Sequence, residues 1–148
     1  MVNSKNTLPY RHAEIDPETF LNAFKEARDT NQRYFYIDNY RFKTQSHRYH
    51  LFTDKGTQCS SCGLQANTFI VESRSEDERP HANLYHITHD KDGNETATLF
   101  TKDHILPRSL GGKNEQNNYQ TMCEPCNKTK GNKMTETDVA YVISSLSD

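Results

Sequence analysis

No long apolar run interrupts this chain, and apolar residues make up only 32% of it, with a mean hydropathy of −1.00. The first shortage excludes a membrane-spanning helix, which needs about 20 consecutive apolar residues. The second leaves a modest hydrophobic core, which a metal staple would help to hold. The first 16 residues, MVNSKNTLPYRHAEID, lack the apolar stretch of a secretory signal. An intracellular setting with reduced thiols is therefore expected. There is no internal repeat and no low-complexity tract. Nor is there a strong excess of either charge: the formal net charge is −2 over 148 residues, which speaks mildly against a DNA-binding surface spread over the whole protein.

What is present is concentrated. The four cysteines fall into two pairs, Cys59-x-x-Cys62 and Cys123-x-x-Cys126. In a reducing compartment such pairs read as a metal site rather than as disulfides. Four thiolates close a tetrahedral zinc shell and leave no open position, so the zinc is expected to be structural. Residues 101–133 also carry six basic residues against three acidic ones, a local balance of +3. Acid gathers elsewhere, from Glu72 to Glu78 and after Met134. A basic face on a slightly acidic protein suits a phosphate-facing site.

Local signals order the rest. Residues 1–15 read as a loose arm. Asp16-Pro17-Glu18 is a helix start, and Phe20, Ala23, Phe24 and Ala27 give that helix one apolar face, with an end expected near Arg33. Residues 34–52 are rich in aromatic and basic side chains, and a second helix is expected over 39–52. Its cations could meet a nucleic-acid backbone or form the solvated edge of a packing layer. Phe69-Ile70-Val71 reads as a short strand and residues 73–80 as a charged loop. The segments 84–89 and 96–101 read as a hairpin turning at Asp92-Gly93, whose second strand delivers Asp103 and His104. Pro107, Gly111 and Gly112 demand a loop. A strand at 119–122 follows, then a helix from Cys123 that ends at Gly131. Val139, Val142, Ile143 and Leu146 mark a short amphipathic helix that docks on the body.

Between the cysteine pairs runs D-H-I-L-P-R-S-L-G-G, followed by Asn118 and then C-E-P-C-N. His104 has a side chain able to take a proton near neutral pH. Asp103 offers a hard anionic oxygen for a divalent cation, and Asn127 can add a carbonyl oxygen. Neighbouring residues of a flat strand point to opposite faces, so a bend is needed for Asp103 and His104 to serve one site.

Over roughly residues 56–133 this pattern resembles the HNH endonucleases, the ββα-metal nucleases, in their zinc-bearing branch. The resemblance rests on Asp103-His104, Gly111-Gly112, Asn118 and Asn127 in the family spacing. Asn stands at position 127, where many members have His, which makes this an H-N-N variant suited to Mg²⁺ or Mn²⁺. The resemblance implies an α+β fold with a ββα-metal core stapled by the Cys₄ zinc and flanked by helices. It divides the chain into an extension at 1–54, a nuclease core at 55–133 and a C-terminal helix at 134–148. It implies a metal-dependent DNA endonuclease of the cytoplasm of a bacterial or phage-infected cell, acting as monomer or homodimer. His104 would activate water, Asp103 and Asn127 would hold the catalytic cation, and Asn118 would bond backbone across the Gly-Gly loop. Arg108, Lys128, Lys130 and Lys133 are candidate phosphate contacts. His12, His47, His50, His81, His86 and His89 lack matching partners and are read as surface or core, least safely for His86 and His89. The competing expectation is a non-catalytic zinc module that binds nucleic acid.

Overall fold

The computed structural model describes residues 7–146. Five strands form one antiparallel sheet: β1 (Tyr10–Ile15), β4 (Thr68–Ser73), β5 (His81–His89), β6 (Glu95–His104) and β7 (Tyr119–Cys123), in that spatial order. Between β1 and β4 the chain makes helix α1 (Pro17–Asp29), a separate hairpin of β2 (Tyr34–Ile37) and β3 (Tyr40–Lys43), and helix α2 (His47–Lys55). A seven-residue helix α3 (Glu124–Lys130) follows β7 directly, and α4 (Glu136–Leu146) ends the described chain. Among the described residues, no helix is long and apolar enough to cross a membrane.

The start of α1 forms as its residues dictate. Asp16 accepts a hydrogen bond from the Thr19 N–H at 3.1 Å, and Pro17 takes the first turn, where its missing N–H costs nothing. The helix stops at Asp29, four residues short of the expected end, with Asn31 at φ 59° breaking its course. Its buried face, Phe20, Phe24 and Ala27, enters a core shared with β2, β3, α2 and the sheet. Phe20 sits at the centre. It meets Phe35, Phe42 and Tyr49 edge-on at 5.0–5.2 Å and stacks on Phe69 at 4.1 Å. Aromatic rings make up for the low apolar content, since each buries a large area with favourable edge-to-face geometry.

Three expectations need correction. The supposed arm is strand β1 from Tyr10 onward, paired with β4 and tied to β6 by two bonds from Arg11 to Glu95, at 2.8 and 2.7 Å; residues 1–6 lie outside the described residues. The segment 39–52 is not one helix. Phe35 and Phe42 are buried while their neighbours are not, which is a two-residue period, and Asp38-Asn39 turns the hairpin with Asp38 at φ 52°. Helix α2 begins only after Ser46, whose hydroxyl caps the Tyr49 N–H. Of the apolar residues expected to dock α4, Val139, Ile143 and Leu146 are largely exposed and Val142 is half-buried; α4 is anchored by buried Asp138 and by the Tyr141 hydroxyl, which donates to the Asn117 carbonyl at 2.8 Å. Strands from both sides of residue 54 share one core, so the chain's N-terminal third is integral to the sheet that carries the site.

Because Phe20 is fully buried among four rings, Phe20→Ala is expected to cost about 3–5 kcal/mol. Denaturant unfolding measures this directly. A loss below about 1 kcal/mol would show that the ring cluster is not the centre of the core.

Candidate active site and metal cluster

Strand β6 changes partners along its length. It pairs with β5 from Glu95 to Leu99 and with β7 from Phe100 to His104. Its far end therefore projects beyond β5, bringing Lys102, Asp103 and His104 to the edge of the fold. Asp103 and Thr101 point towards α3, whereas Lys102 and His104 flank Tyr119 on the α2 side. The flat-strand alternation is thus kept. Asp103, His104 and Asn127 nevertheless line one hollow, with Arg108 and Ser109 from the loop and Gly131-Asn132 from beyond α3, because the chain leaves the sheet just past His104.

His104 is half-buried, edge-on to the Tyr119 ring at 5.1 Å, and its Nε2 lies 2.7 Å from Asn114 Oδ1. Asn114 carried no signal in the sequence beyond its place after the Gly-Gly pair. With the amide oxygen as acceptor, Nε2 carries the proton and Nδ1 keeps its lone pair. Tyr119 is held in turn by His47, whose Nδ1 lies 3.2 Å from the Tyr119 hydroxyl. His47, read from sequence as surface or core, therefore supports the ring on which His104 rests.

Asn118 clamps the loop that follows. Its Oδ1 accepts from the Leu106 N–H at 2.9 Å, and its Nδ2 donates to the Leu106 and Lys113 carbonyls at 3.1 and 2.9 Å. The loop closes tightly enough to require glycine. A Cβ on Gly112 would lie 1.7 Å from the Leu106 carbonyl oxygen, and Gly111 has φ 96°.

The cations are distributed unequally. Arg108 is exposed in the His104 hollow. Lys128 is exposed and pairs with Glu124 at 3.2 Å, and Lys133 borders a separate hollow beside Cys126. Lys130 does not sit on the surface. Its side chain is 3% exposed, and its Nζ meets Asp103 Oδ2 at 2.6 Å, Asp138 Oδ2 at 2.8 Å and the His104 carbonyl at 2.9 Å. Gln120 joins the network, donating to Asp103 Oδ2 and Asp138 Oδ1 at 2.9 Å each. Lys130 is thus a buried counterion to two carboxylates rather than a free surface cation for phosphate.

The donor set suits a hard divalent cation. Both hydrogen bonds on the Asp103 carboxylate fall on Oδ2, so Oδ1 is the oxygen left to serve as a ligand. The Asn127 amide donates to Thr101 Oγ1 at 2.9 Å, which leaves its carbonyl oxygen for a cation.

The cysteine cluster is compact. All four sulfurs lie within 4.8 Å of one another, and Cys62 Sγ is 3.8 Å from Cys123 Sγ. A tetrahedral ion with bonds of about 2.3 Å sets its sulfurs about 3.8 Å apart, so the cluster can hold a zinc-like ion. Burial pushes the Cys59 thiol up, but N–H groups of Cys62, Cys123 and Ser61 outweigh it and bring it down to about 6. Burial pushes Cys123 up to about 12 and raises Cys126 as well. A bound cation would favour the thiolate form of all four.

Comparison with protein families matches residues 90–138 to a model described as HNH endonuclease. Curated proteins and solved structures gave no match. The matched third of the chain includes Asp103, His104, Asn118, Cys123, Cys126 and Asn127, and leaves out Cys59 and Cys62.

Two outcomes follow from this geometry. Metal analysis should find one tightly held ion per chain, and stripping it should lower the melting temperature by roughly 10 °C or more, the equivalent of about 3 kcal/mol at this size. An unchanged melting temperature after complete stripping would exclude a structural role. For Asp138, burial raises the carboxyl pKa, but Lys130, the Thr135 N–H and Gln120 hold it below the usual carboxylate range. A depressed folded value stabilises above the unfolded pKa of about 3.9, and that contribution is lost as pH falls through the folded value. Asp138→Asn should therefore weaken the fold at pH 7 and flatten its acid sensitivity below about pH 4, read from denaturation midpoints. Identical acid sensitivity in both proteins would contradict the assignment.

Proposed function

We propose, from the match of residues 90–138 to a model described as HNH endonuclease, that this chain is a metal-dependent nuclease that hydrolyses phosphodiester bonds in DNA. In this reading β6, β7 and α3 are the two strands and helix of a ββα-metal core, and zinc fills the cysteine cluster. The observation that carries it is His104 at the open end of β6, with Nε2 occupied by Asn114 and Arg108 in the same hollow.

His104 Nδ1 takes a proton from the attacking water, since Nε2 is already engaged. Asn114 and Tyr119 hold the ring so that the lone pair stays aimed outward. Asn118 keeps the loop closed, which fixes the backbone just beyond His104 and places Arg108 beside it. Arg108 binds a non-bridging phosphate oxygen by charge-assisted hydrogen bonds. Asp103 and Asn127 would hold Mg²⁺ or Mn²⁺, which neutralises charge on the phosphate and on the leaving 3′ oxygen. Lys130 fixes the Asp103 carboxylate through Oδ2 and ties it to α4 through Asp138. Lys128 and Lys133 would meet phosphates farther along the duplex. One site per chain makes a single-strand nick the simplest event, and cutting both strands takes a homodimer or two visits.

The Lys130–Asp103 pair also favours a second reading, a zinc-stabilised module that binds nucleic acid without cutting it. In that case Lys130 already neutralises the carboxylate that would hold the cation.

Supercoiled plasmid with Mg²⁺ or Mn²⁺ separates the two. The wild-type protein should convert it to nicked or linear forms, and His104→Ala should lose about 10²–10⁴ in rate while keeping its metal and fold. Plasmid left intact by wild-type protein with its cysteine-bound metal in place would reject the nuclease. Equal cutting by His104→Ala would reject His104 as the base.

A further inference from the structure

Where β6 leaves β5, the sheet splits. The cleft beyond Leu99 is lined by Asn83 on the β5 side, by Phe100 to Lys102 on β6, and by Ser46, His47 and Arg48 at the start of α2. Lys102 also lines the His104 hollow, so the cleft opens into the site. At its other end Ser46 and Arg48 are shared with a third hollow, bordered by Arg41 and Lys43 of β3 and by Arg79 of the β4–β5 loop. The three hollows therefore adjoin through shared residues, from the one at His104 to the one beside the β2–β3 hairpin.

The charge along this line is of one sign. Among the described residues none of Arg41, Lys43, Arg48, Arg79 and Lys102 is in an ion pair, and the single carboxylate lining the three hollows is Asp103, which Lys130 neutralises. The acidic residues Glu76, Asp77 and Glu78 precede Arg79 in its loop but line none of the hollows. On a chain of net charge −2 this is a marked segregation. Three of the cations are also held in place. Arg48 donates to Asn83 Oδ1 at 3.2 Å and to the Ala82 carbonyl at 3.4 Å. Arg41 lies over the Tyr34 ring and Lys102 over the Tyr119 ring, each at 4.4 Å. Such ring contacts fix a cation without cancelling its charge. The first turn of α2 carries no acid and instead places His47 and Arg48 at the positive end of the helix, which costs stability unless an anion lies there.

We propose that the DNA strand leaving the His104 hollow runs through the β5–β6 cleft and over the β2–β3 hairpin, its phosphates held by Lys102, Arg48, Arg41, Lys43 and Arg79. The direction of this track rests on the nuclease reading of His104, but its cations do not. A series of cations outside any ion pair, three of them held by neighbouring groups, fits a phosphate backbone. Four of these five cations, all but Lys102, lie outside the family match.

The test is fluorescence anisotropy of a short labelled DNA duplex, with the metal-loaded protein and no added divalent cation, so that nothing is cut. Arg41→Gln/Lys43→Gln/Arg79→Gln changes only exposed side chains, and Lys25→Gln/Lys91→Gln is the control. The triple variant should bind on the order of tenfold to a hundredfold more weakly, and its log K against log salt slope should fall by about 2–3, near 0.9 per lost phosphate contact. The control should match wild type. Should the triple variant unfold, Arg79→Gln alone should lower the slope by about 1. A triple variant that binds with the wild-type slope, or a wild-type protein that does not bind DNA, would overturn the track. Groove-dependent binding that is tighter for single-stranded RNA than for the duplex would overturn its assignment to DNA. If wild type binds through these residues yet cuts no plasmid with any metal, the track stands and the nuclease reading fails.

Discussion

The site depends on how α3 is held. A helix of seven residues is far too short to be stable by itself. Two anchors fix it. At its start Cys123 and Cys126 meet Cys59 and Cys62, which ties it to the knuckle after α2. At its end the Lys130 ammonium is buried between Asp103 and Asp138. Asn127 lies between the anchors, and so does the wall of the hollow that faces His104. A cation in the cysteine cluster would therefore do more than add stability to a lean core; it would help to set where Asn127 stands relative to β6.

The Lys130 network joins parts that a domain division would separate. Asp138 belongs to α4, Asp103 and Gln120 to neighbouring strands, and Lys130 to α3. Breaking a buried pair leaves an uncompensated charge, so its members are expected to stand or fall together. The same network constrains the chemistry. With Oδ2 committed to Lys130 and Gln120, Asp103 retains one oxygen for a catalytic cation, a sparser ligand set than a free carboxylate offers. The neutral Asn127 adds no charge. Such a site suits a cation that keeps most of its water and takes further oxygens from the substrate, as Mg²⁺ does.

Much of this could be read from residue order, and the failures have physical causes. The paired cysteines, the Asp16 cap, the hairpin turn at Asp92-Gly93 and the Gly-Gly loop are local signals, and local chemistry decides them. Residues 34–43 were harder, because aromatic side chains suit a packed helix and a strand alike; the alternation of Phe35 and Phe42 with exposed neighbours, around Asp38-Asn39, was the usable sign. Lys130 could not be placed from its neighbours. In a Lys-x-Lys pattern near a helix end it reads as solvated, and its burial depends on Asp103, 27 positions away. Asn114 and His47 likewise have meaning only through what they touch, His104 and Tyr119. Amphipathic reasoning misses the main anchors of α4, which are polar: Asp138 on Lys130 and Tyr141 on the Asn117 carbonyl.

The proposed reaction is hydrolysis at His104 with departure of the 3′ oxygen. The most direct measurement of it is whether DNA ligase can reseal the nicks that the metal-loaded protein makes in supercoiled plasmid with Mg²⁺. Departure of the 3′ oxygen leaves 5′-phosphate and 3′-hydroxyl ends, so ligase should close the nicks fully without prior end repair. Nicks that ligase cannot close until a terminal phosphate is moved or removed would contradict it.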